Sequence, residues 1–148
     1  MTNTTKNQKT LKAMLVPVGD YPKRIELTAD EEGSFLRAMQ KCVKGNIEPM
    51  SWIFDDEPAC YANEEGKIPW SEQRPNRAIF EEDSVEPIDI VFGNILCVGF
   101  DLETGEGRDI TDEECEKVME RFGTLESILS GPIELMRLSM KHRQGGQK

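Results

Sequence analysis

Carboxylates in adjacent positions are the side chains of this sequence that are best placed to do chemistry. Three neighbouring carboxylates can bind a divalent cation, but adjacent positions point in different directions and nothing nearby completes a ligand set, so we expect no metal. Displayed on a surface, the same clusters can stand in for a run of phosphates and bind a basic protein surface. Two triplets are candidate binding residues: Asp55, Asp56 and Glu57, and Glu81, Glu82 and Asp83.

Three other polar residues, Asn63, Asn76 and Arg77, are candidates for a different kind of site. One interpretation is that they line a pocket for a small ligand. In the other, Asn76 forms a turn with Pro75, and Arg77 folds back on a carboxylate or on strand-end carbonyls. The sequence alone leaves both interpretations open.

The sequence has none of the common catalytic signatures. The only histidine, His142, lies in a polar tail, and there is no Walker loop, dinucleotide fingerprint, zinc-protease motif or nucleophile elbow. The four cysteines stand singly, without a C-x-x-C pair, which indicates reduced and mostly buried thiols. We therefore expect a non-enzymatic protein that needs no cofactor.

The charge of the chain is unevenly distributed. The net charge of −10 divides into +3 for residues 1–28, −15 for residues 29–123 and +2 for residues 124–148. A body with this field repels nucleic acid and attracts basic surfaces, which favours a host nucleic-acid-binding protein or nuclease as the partner over direct binding of nucleic acid. The alternative is an acidic surface that serves only solubility.

The hydrophobic pattern predicts a single α+β domain at residues 11–123, after a disordered tail at residues 1–10. We expect a mainly antiparallel sheet of about five strands, with residues 95–100 at its centre and two helices packed on it. Residues 124–148 are predicted to form an amphipathic helix with a basic tail, which docks on its own chain or forms a homodimer. The chain has neither an apolar run of transmembrane length nor an N-terminal signal peptide, so we expect a cytoplasmic protein without membrane contact.

Turn and capping residues predict where the elements begin and end. Thr28 and Thr111 each precede a glutamate by three residues, which predicts capping boxes for helices at 29–44 and 112–122. Gly45 is expected to end the first helix and Gly123 the second, and Gly66 is expected to close a hairpin loop in the left-handed conformation. The remaining predictions are a strand at 47–54, a long irregular segment at 71–86, and a strand or helical turn at 88–92. Gly93 and Asn94 could form a two-residue hairpin turn or end that helical turn.

Five short motifs carry a resemblance to a known family. They are NEEGK at 63–67, PNRA at 75–78, DIVFG at 89–93, ILCVG at 95–99 and ITDE at 110–113. In this order they resemble a family of small domains that has no assigned catalytic residues. Its members occur in phages, plasmids and conjugative elements of Gram-positive and gut bacteria, often near antirestriction genes. The resemblance implies a mobile-element accessory protein.

Two functional hypotheses follow. The first is a non-enzymatic antagonist of a host defence system, anti-CRISPR or antirestriction, which acts through its acidic surface in the cytoplasm of the host bacterial cell. The alternative is a small-ligand-binding module that sequesters a signalling molecule in a pocket near Asn76 and Arg77. The two hypotheses differ in salt dependence, because a surface interaction between many charges weakens with salt more than a buried ligand site does.

Overall fold

The computed structural model describes residues 9–68, 71–80 and 87–123. These residues form a mixed α+β fold with two helices, as predicted, but with eight strands instead of about five. Glu81, Glu82, Asp83 and the extension predicted at residues 124–148 lie outside the described residues, as do residues 1–8 of the predicted tail. In chain order the elements are β1 (Thr10–Val16), β2 (Lys23–Thr28), α1 (Leu36–Val43), β3 (Ile47–Pro49), β4 (Ala59–Asn63), β5 (Pro75–Phe80), β6 (Pro87–Phe92), β7 (Ile95–Phe100), β8 (Gly107–Arg108) and α2 (Asp112–Phe122).

The main sheet is antiparallel and has β7 at its centre, as the sequence predicted. Its strand order is β2-β1-β7-β4-β3, and β8 pairs with β7 outside this path. Val98 of β7 lies opposite Ala13 of β1 on one side and Ala59 of β4 on the other. Strands β5 and β6 form a separate two-stranded sheet.

The two faces of the main sheet bury different elements. Helix α1 packs through Val43 on the face that carries Leu96 and Val98 of β7. Helix α2 and the β5–β6 sheet share a second cluster of buried residues with Ile95 and Cys97 on the opposite face. Because successive side chains of a strand point to opposite faces, a central strand covered on both sides is apolar at nearly every position.

The apolar run at residues 88–100 is divided between the two sheets. Residues 88–92 are strand and not a helical turn, but Gly93 then adopts a φ of +81° and separates β6 from β7. The Asn94 side chain fixes the start of β7, since it accepts a hydrogen bond from the Val18 amide at 3.1 Å and donates one to the Cys42 carbonyl at 3.0 Å. A two-residue hairpin between β6 and β7 therefore does not form.

The prediction of an irregular segment at residues 71–86 is wrong for residues 75–80. Residues 75–80 form β5, which pairs with β6. The polar residues in this stretch suggested a loop, but Asn76 and Arg77 are buried and hydrogen-bonded to backbone carbonyls. A polar side chain that is fully satisfied in this way is tolerated in a core.

Helix α1 is shorter than predicted because a turn comes before it. Thr28 ends β2 instead of capping the helix, and the Asp30 carboxylate accepts hydrogen bonds from the amides of Glu32 and Ser34. Such side-chain-to-backbone bonds compete with helix formation. The residue that ends the helix in the left-handed conformation is Lys44, with a φ of 61°, and not the predicted Gly45.

Two predictions around β3 and β4 also fail. The strand predicted at residues 47–54 ends at Pro49, and residues 51–58 form turns. Gly66 is not among the glycines with positive φ. A Cβ at Gly66 would lie 3.0 Å from the Phe92 carbonyl oxygen, so close packing on β6 explains the glycine better than backbone conformation does.

Helix α2 agrees with its prediction at both ends. The Thr111 hydroxyl accepts a hydrogen bond from the Glu114 amide at 3.1 Å, and the Glu114 carboxylate accepts one from the Thr111 amide at 3.0 Å. The helix covers Asp112–Phe122 and its C-cap residue is Gly123. The capping box and the glycine after the helix are both local in sequence, so they can be recognised without the tertiary structure.

Candidate functional site

The turn at residues 51–58 carries the first predicted acidic triplet. Asp55 and Asp56 have left-handed backbone, with φ of 54° and 63°, which aspartate tolerates better than most residues. The amide of Glu57 donates to the carbonyl of Phe54 at 3.0 Å and closes the turn. Ile53 is buried and anchors the turn in the core, whereas Asp55 and Glu57 are exposed.

A small cavity of about 120 Å³ lies beside this turn. Glu48 of β3, Trp52 of the turn and Glu64 after β4 line it, together with the ion pair between Lys67 and Asp89. Trp52 is 47% exposed, which is unusual for so large an apolar side chain. Carboxylates beside an accessible indole suit a lysine or arginine side chain, because the carboxylate pairs with the cation and the ring face attracts it.

Trp52 belongs to both the turn and the lining of the cavity, so we treat the two as one candidate site. We call it the acidic surface, because exposed or half-exposed carboxylates line the cavity beside Trp52 or follow Trp52 in the same turn. Its residues are Glu48, Trp52, Asp55, Asp56, Glu57 and Glu64.

The carboxylates at the start of α2 are used within the protein. Asp112 is paired with Arg24 at 2.9 Å, and Glu114 is paired with Arg108 at 2.8 Å. Burial would raise the pKa of Glu114, but the hydrogen bonds from Arg108 and Thr111 outweigh it and lower this pKa below its ordinary value. This cluster therefore stabilises the fold, which ordinary helix-capping chemistry also predicts.

Asn63 holds the end of α1 against β4. Its side-chain amide donates to the carbonyls of Val43 and Lys44, both at 3.1 Å, and its side-chain oxygen accepts from the Glu65 amide at 2.8 Å. Asn63 also lines the cavity beside the turn. A ligand in that cavity would meet a side chain whose polar atoms already have protein partners.

Arg77 is completely buried and points at backbone carbonyls. It donates to Phe122 at the end of α2 over 3.2 Å, to Asp20 in the β1–β2 turn over 2.6 Å, and to the neighbouring Asn76. Burial lowers the pKa of Arg77 to about 10, although the nearby Asp20 raises it. Arg77 thus folds back on carbonyls, but they lie at a helix end and in a turn and not at the strand ends that one interpretation predicted. The turn that this interpretation assigned to Pro75 and Asn76 is wrong, because both residues belong to β5.

Asn76 extends the same network to β1. Its side-chain amide donates to the carbonyl of Val16 at 2.9 Å and to that of Gly93 at 2.8 Å. Asn76 and Arg77 are thus brought together, whereas Asn63 bonds to the carbonyls at the end of α1. Asn76 is 1% exposed and Arg77 0%, so neither offers a surface to a ligand in this conformation, and their binding role stays a prediction.

The cavity residues Glu48, Trp52, Lys67 and Asp89 were not predicted as site residues. They come from four separate parts of the sequence, and only the pairing of β3 with β4 and the position of β6 bring them together. The one signal available in the sequence was a tryptophan three residues before the acidic triplet. Glu81, Glu82 and Asp83 lie outside the described residues, so their relation to the acidic surface stays a prediction.

Within residues 9–68, 71–80 and 87–123, no three histidine, cysteine, aspartate or glutamate side chains are grouped as metal ligands would be. Over the same ranges, no helix is both long enough and apolar enough to cross a membrane.

A family model described as a domain of unknown function, DUF3846, matches residues 11–123. The chain belongs to this family. Comparisons with curated proteins and with solved structures returned no match. The family match supports the resemblance recognised from the five motifs, and it covers the acidic surface and both helices.

Proposed function

We propose that this protein is a non-enzymatic antagonist of a bacterial defence nuclease, of the CRISPR or restriction type, and that it acts through the acidic surface. The observation that carries the proposal is the half-exposed Trp52, which lines a cavity with the exposed Glu48 and Glu64 and lies in the same turn as the acidic triplet at residues 55–57. Aromatic residues are enriched among the side chains that dominate binding energy at protein interfaces. The carboxylates add attraction for lysine and arginine.

The basic surface that this site would occupy is the nucleic-acid channel of the nuclease. Such a channel is lined with lysine and arginine that normally pair with phosphates. The charge of −15 over residues 29–123 supports association with it by long-range attraction, which raises the association rate at low salt. Occupying the channel is sufficient for inhibition, so the mechanism requires no catalytic step in this chain.

The biological setting belongs to the same proposal. Members of the resembled family occur in phages, plasmids and conjugative elements, which gain directly when a host nuclease is blocked. We place the protein in the cytoplasm of the host bacterium, where these nucleases act.

The test is inhibition of DNA cleavage by a panel of purified restriction endonucleases and CRISPR effector nucleases. The variant Asp55→Asn/Asp56→Asn/Glu57→Gln removes three charges, and asparagine still tolerates the left-handed backbone. At about 0.5 kcal/mol for each exposed charge pair, the loss is about 1.5 kcal/mol, or roughly tenfold in affinity. Inhibition should also weaken when the salt concentration rises.

A matched control removes the same charge elsewhere. Glu31, Glu32 and Glu72 are exposed and lie outside the acidic surface, so the triple Gln variant should inhibit like the parent. If both triple variants lost inhibition equally, inhibition would depend on the total charge of the protein and not on the acidic surface. Full inhibition by the turn variant would refute the acidic surface as the binding site, and no inhibition by the parent of any nuclease in the panel would refute the antagonist function.

A further inference from the structure

A groove of about 650 Å³ between β2 and α1 carries positive charge in an otherwise acidic body. Four basic side chains and two acidic ones line it, together with an apolar floor. We call it the basic groove. Its basic residues are Lys23, Arg37, Lys41 and Lys44, and its acidic residues are Glu26 and Asp30.

Three of the basic residues lie along α1 and at its C-terminal end, and we call them the stripe. Arg37 and Lys41 are four residues apart and therefore lie on one side of the helix, Lys44 follows at the C-cap, and all three are exposed. Neither they nor Lys23 are ion-paired with a described carboxylate. The helix dipole favours Lys41 in the last turn, but it disfavours Arg37 in the first turn, so helix stability does not explain the whole stripe.

The other wall of the groove is the free edge of the main sheet. In the sheet order, β2 has only β1 as a neighbour, and the described part of the chain gives its six residues no backbone hydrogen bond outside that pairing. The opposite edge strand, β3, has only three residues and includes Pro49. Short strands and prolines protect edges against strand addition, so β2 is the edge that remains able to pair.

The floor of the groove is apolar. Ile25 and Leu27 of β2 line it with Ala38 and Cys42 of α1. Leu27 is buried, whereas the other three are half-buried. An extended chain laid along β2 would cover this floor while its backbone pairs with the strand.

We propose that the basic groove binds an extended acidic segment of a partner protein, which adds to the main sheet as a strand beside β2. Side chains at alternate positions of such a segment lie on one face and are about 7 Å apart. The rise between Arg37 and Lys41 along the helix is about 6 Å. Carboxylates at every second position can therefore pair with the stripe, while the backbone of the segment satisfies the β2 edge.

Nucleic acid fits the same groove less well. Two carboxylates lie among its lining residues, and no aromatic side chain is there to stack on a base. The surrounding body repels a dense run of phosphates more strongly than it repels a peptide with a few carboxylates. This interaction is independent of the proposed antagonism, because the acidic surface and the basic groove share no residue and attract opposite charges.

The experiment uses the full chain and a fluorescein-labelled 12-residue peptide of alternating glutamate and valine, with binding followed by fluorescence anisotropy. Arg37→Gln/Lys41→Gln should weaken binding at least about fivefold, because two exposed charge pairs are lost. The matched control, Lys12→Gln/Arg74→Gln, removes the same charges outside the groove and should bind like the parent. Amide NMR shifts on addition of the peptide should map to β2.

Three further probes separate the ligand classes. A lysine–valine peptide tests the sign of the charge, a glutamate–proline peptide removes amides needed for strand pairing, and a 12-nucleotide single-stranded DNA tests nucleic acid. All three should bind more weakly than the glutamate–valine peptide. The proposal is overturned if the DNA or either control peptide binds equally well, if both double variants behave alike, or if the parent does not bind the glutamate–valine peptide at millimolar concentration.

Discussion

Replacing Arg77 with methionine should destabilise the protein by about 2–4 kcal/mol. The side chain is fully buried and donates hydrogen bonds to the carbonyls of Phe122 and Asp20 and to Asn76. Hydrogen bonds from a charged donor contribute about 1.5–3 kcal/mol each. Burying a guanidinium costs several kcal/mol, and no described carboxylate lies within ion-pair distance to offset that cost. The net effect is therefore smaller than the sum of the bonds.

The assay is urea denaturation of the parent, Arg77→Met and the control Arg74→Met. Arg74 is exposed, so its substitution should change the free energy of unfolding by no more than about 0.5 kcal/mol. Arg77→Lys should also be destabilised, because an ammonium group lacks the planar fork that reaches several acceptors. Parental stability of Arg77→Met would refute the structural role assigned to this arginine and would strengthen the small-ligand hypothesis.

The difference in unfolding free energy between the parent and Arg77→Met has a pH dependence that follows from the direction in which folding shifts the pKa of Arg77. Burial lowers the pKa of Arg77 to about 10 in the folded protein, well below its ordinary value. The protonated form is therefore disfavoured by folding, and this cost is fully present well below pH 10 and decreases only as the pH rises from about 10 toward the ordinary pKa of arginine. The stability difference between the parent and Arg77→Met should have no contribution from Arg77 titration between pH 5 and 9.

The remaining stability predictions concern close packing and a capped helix. Gly66→Ala should cost about 1–3 kcal/mol, because the new Cβ would lie 3.0 Å from the Phe92 carbonyl oxygen; a melting temperature equal to the parent's would contradict this contact. Thr111→Ala should cost about 1 kcal/mol in urea denaturation, and no change would mean that the hydroxyl does not cap α2. Glu114→Gln should lose the ion pair with Arg108, and because the folded-state pKa of Glu114 is lowered, its stabilisation should be complete above about pH 4.3 and disappear on further acidification. A stability difference that grows as the pH falls would refute that assignment.

Local signals predicted the parts of the fold that depend on neighbouring residues. The capping box at Thr111 and Glu114 correctly predicted where α2 starts, and Gly123 correctly predicted where it ends. The same signature failed at Thr28 because the Asp30 carboxylate captured the amides of a turn before a helix could begin. A capping pattern shows that a helix can start at a residue, but tertiary pairing of β2 with β1 decided that Thr28 is strand.

The two-stranded sheet was missed because long-range hydrogen bonds make it possible. Asn76 and Arg77 are polar enough to suggest a loop, yet their partners are carbonyls of Val16, Asp20 and Phe122, which are distant in sequence. Only the folded chain supplies these acceptors at the right positions. The sequence showed that the stretch with Asn76 and Arg77 is polar, but it gave no sign that these two side chains are buried.

The candidate site was predicted in one part and missed in another. The triplet at Asp55, Asp56 and Glu57 was visible as adjacent carboxylates, and its turn could be inferred from Pro58. The carboxylates of the cavity were not visible as a group, because strand pairing alone brings Glu48 near the residues that follow β4. Sites assembled across strands carry no short motif in the sequence.

Phage plating on defended hosts is the measurement that most directly tests the acidic-antagonist account. Hosts that carry a CRISPR or restriction system are made to express the parent, the turn variant Asp55→Asn/Asp56→Asn/Glu57→Gln, or a control with Glu31, Glu32 and Glu72 changed to Gln. The account predicts that the parent and the control restore plating on at least one defended host and that the turn variant restores it far less. Equal plating with the parent and an empty vector on every defended host would contradict it.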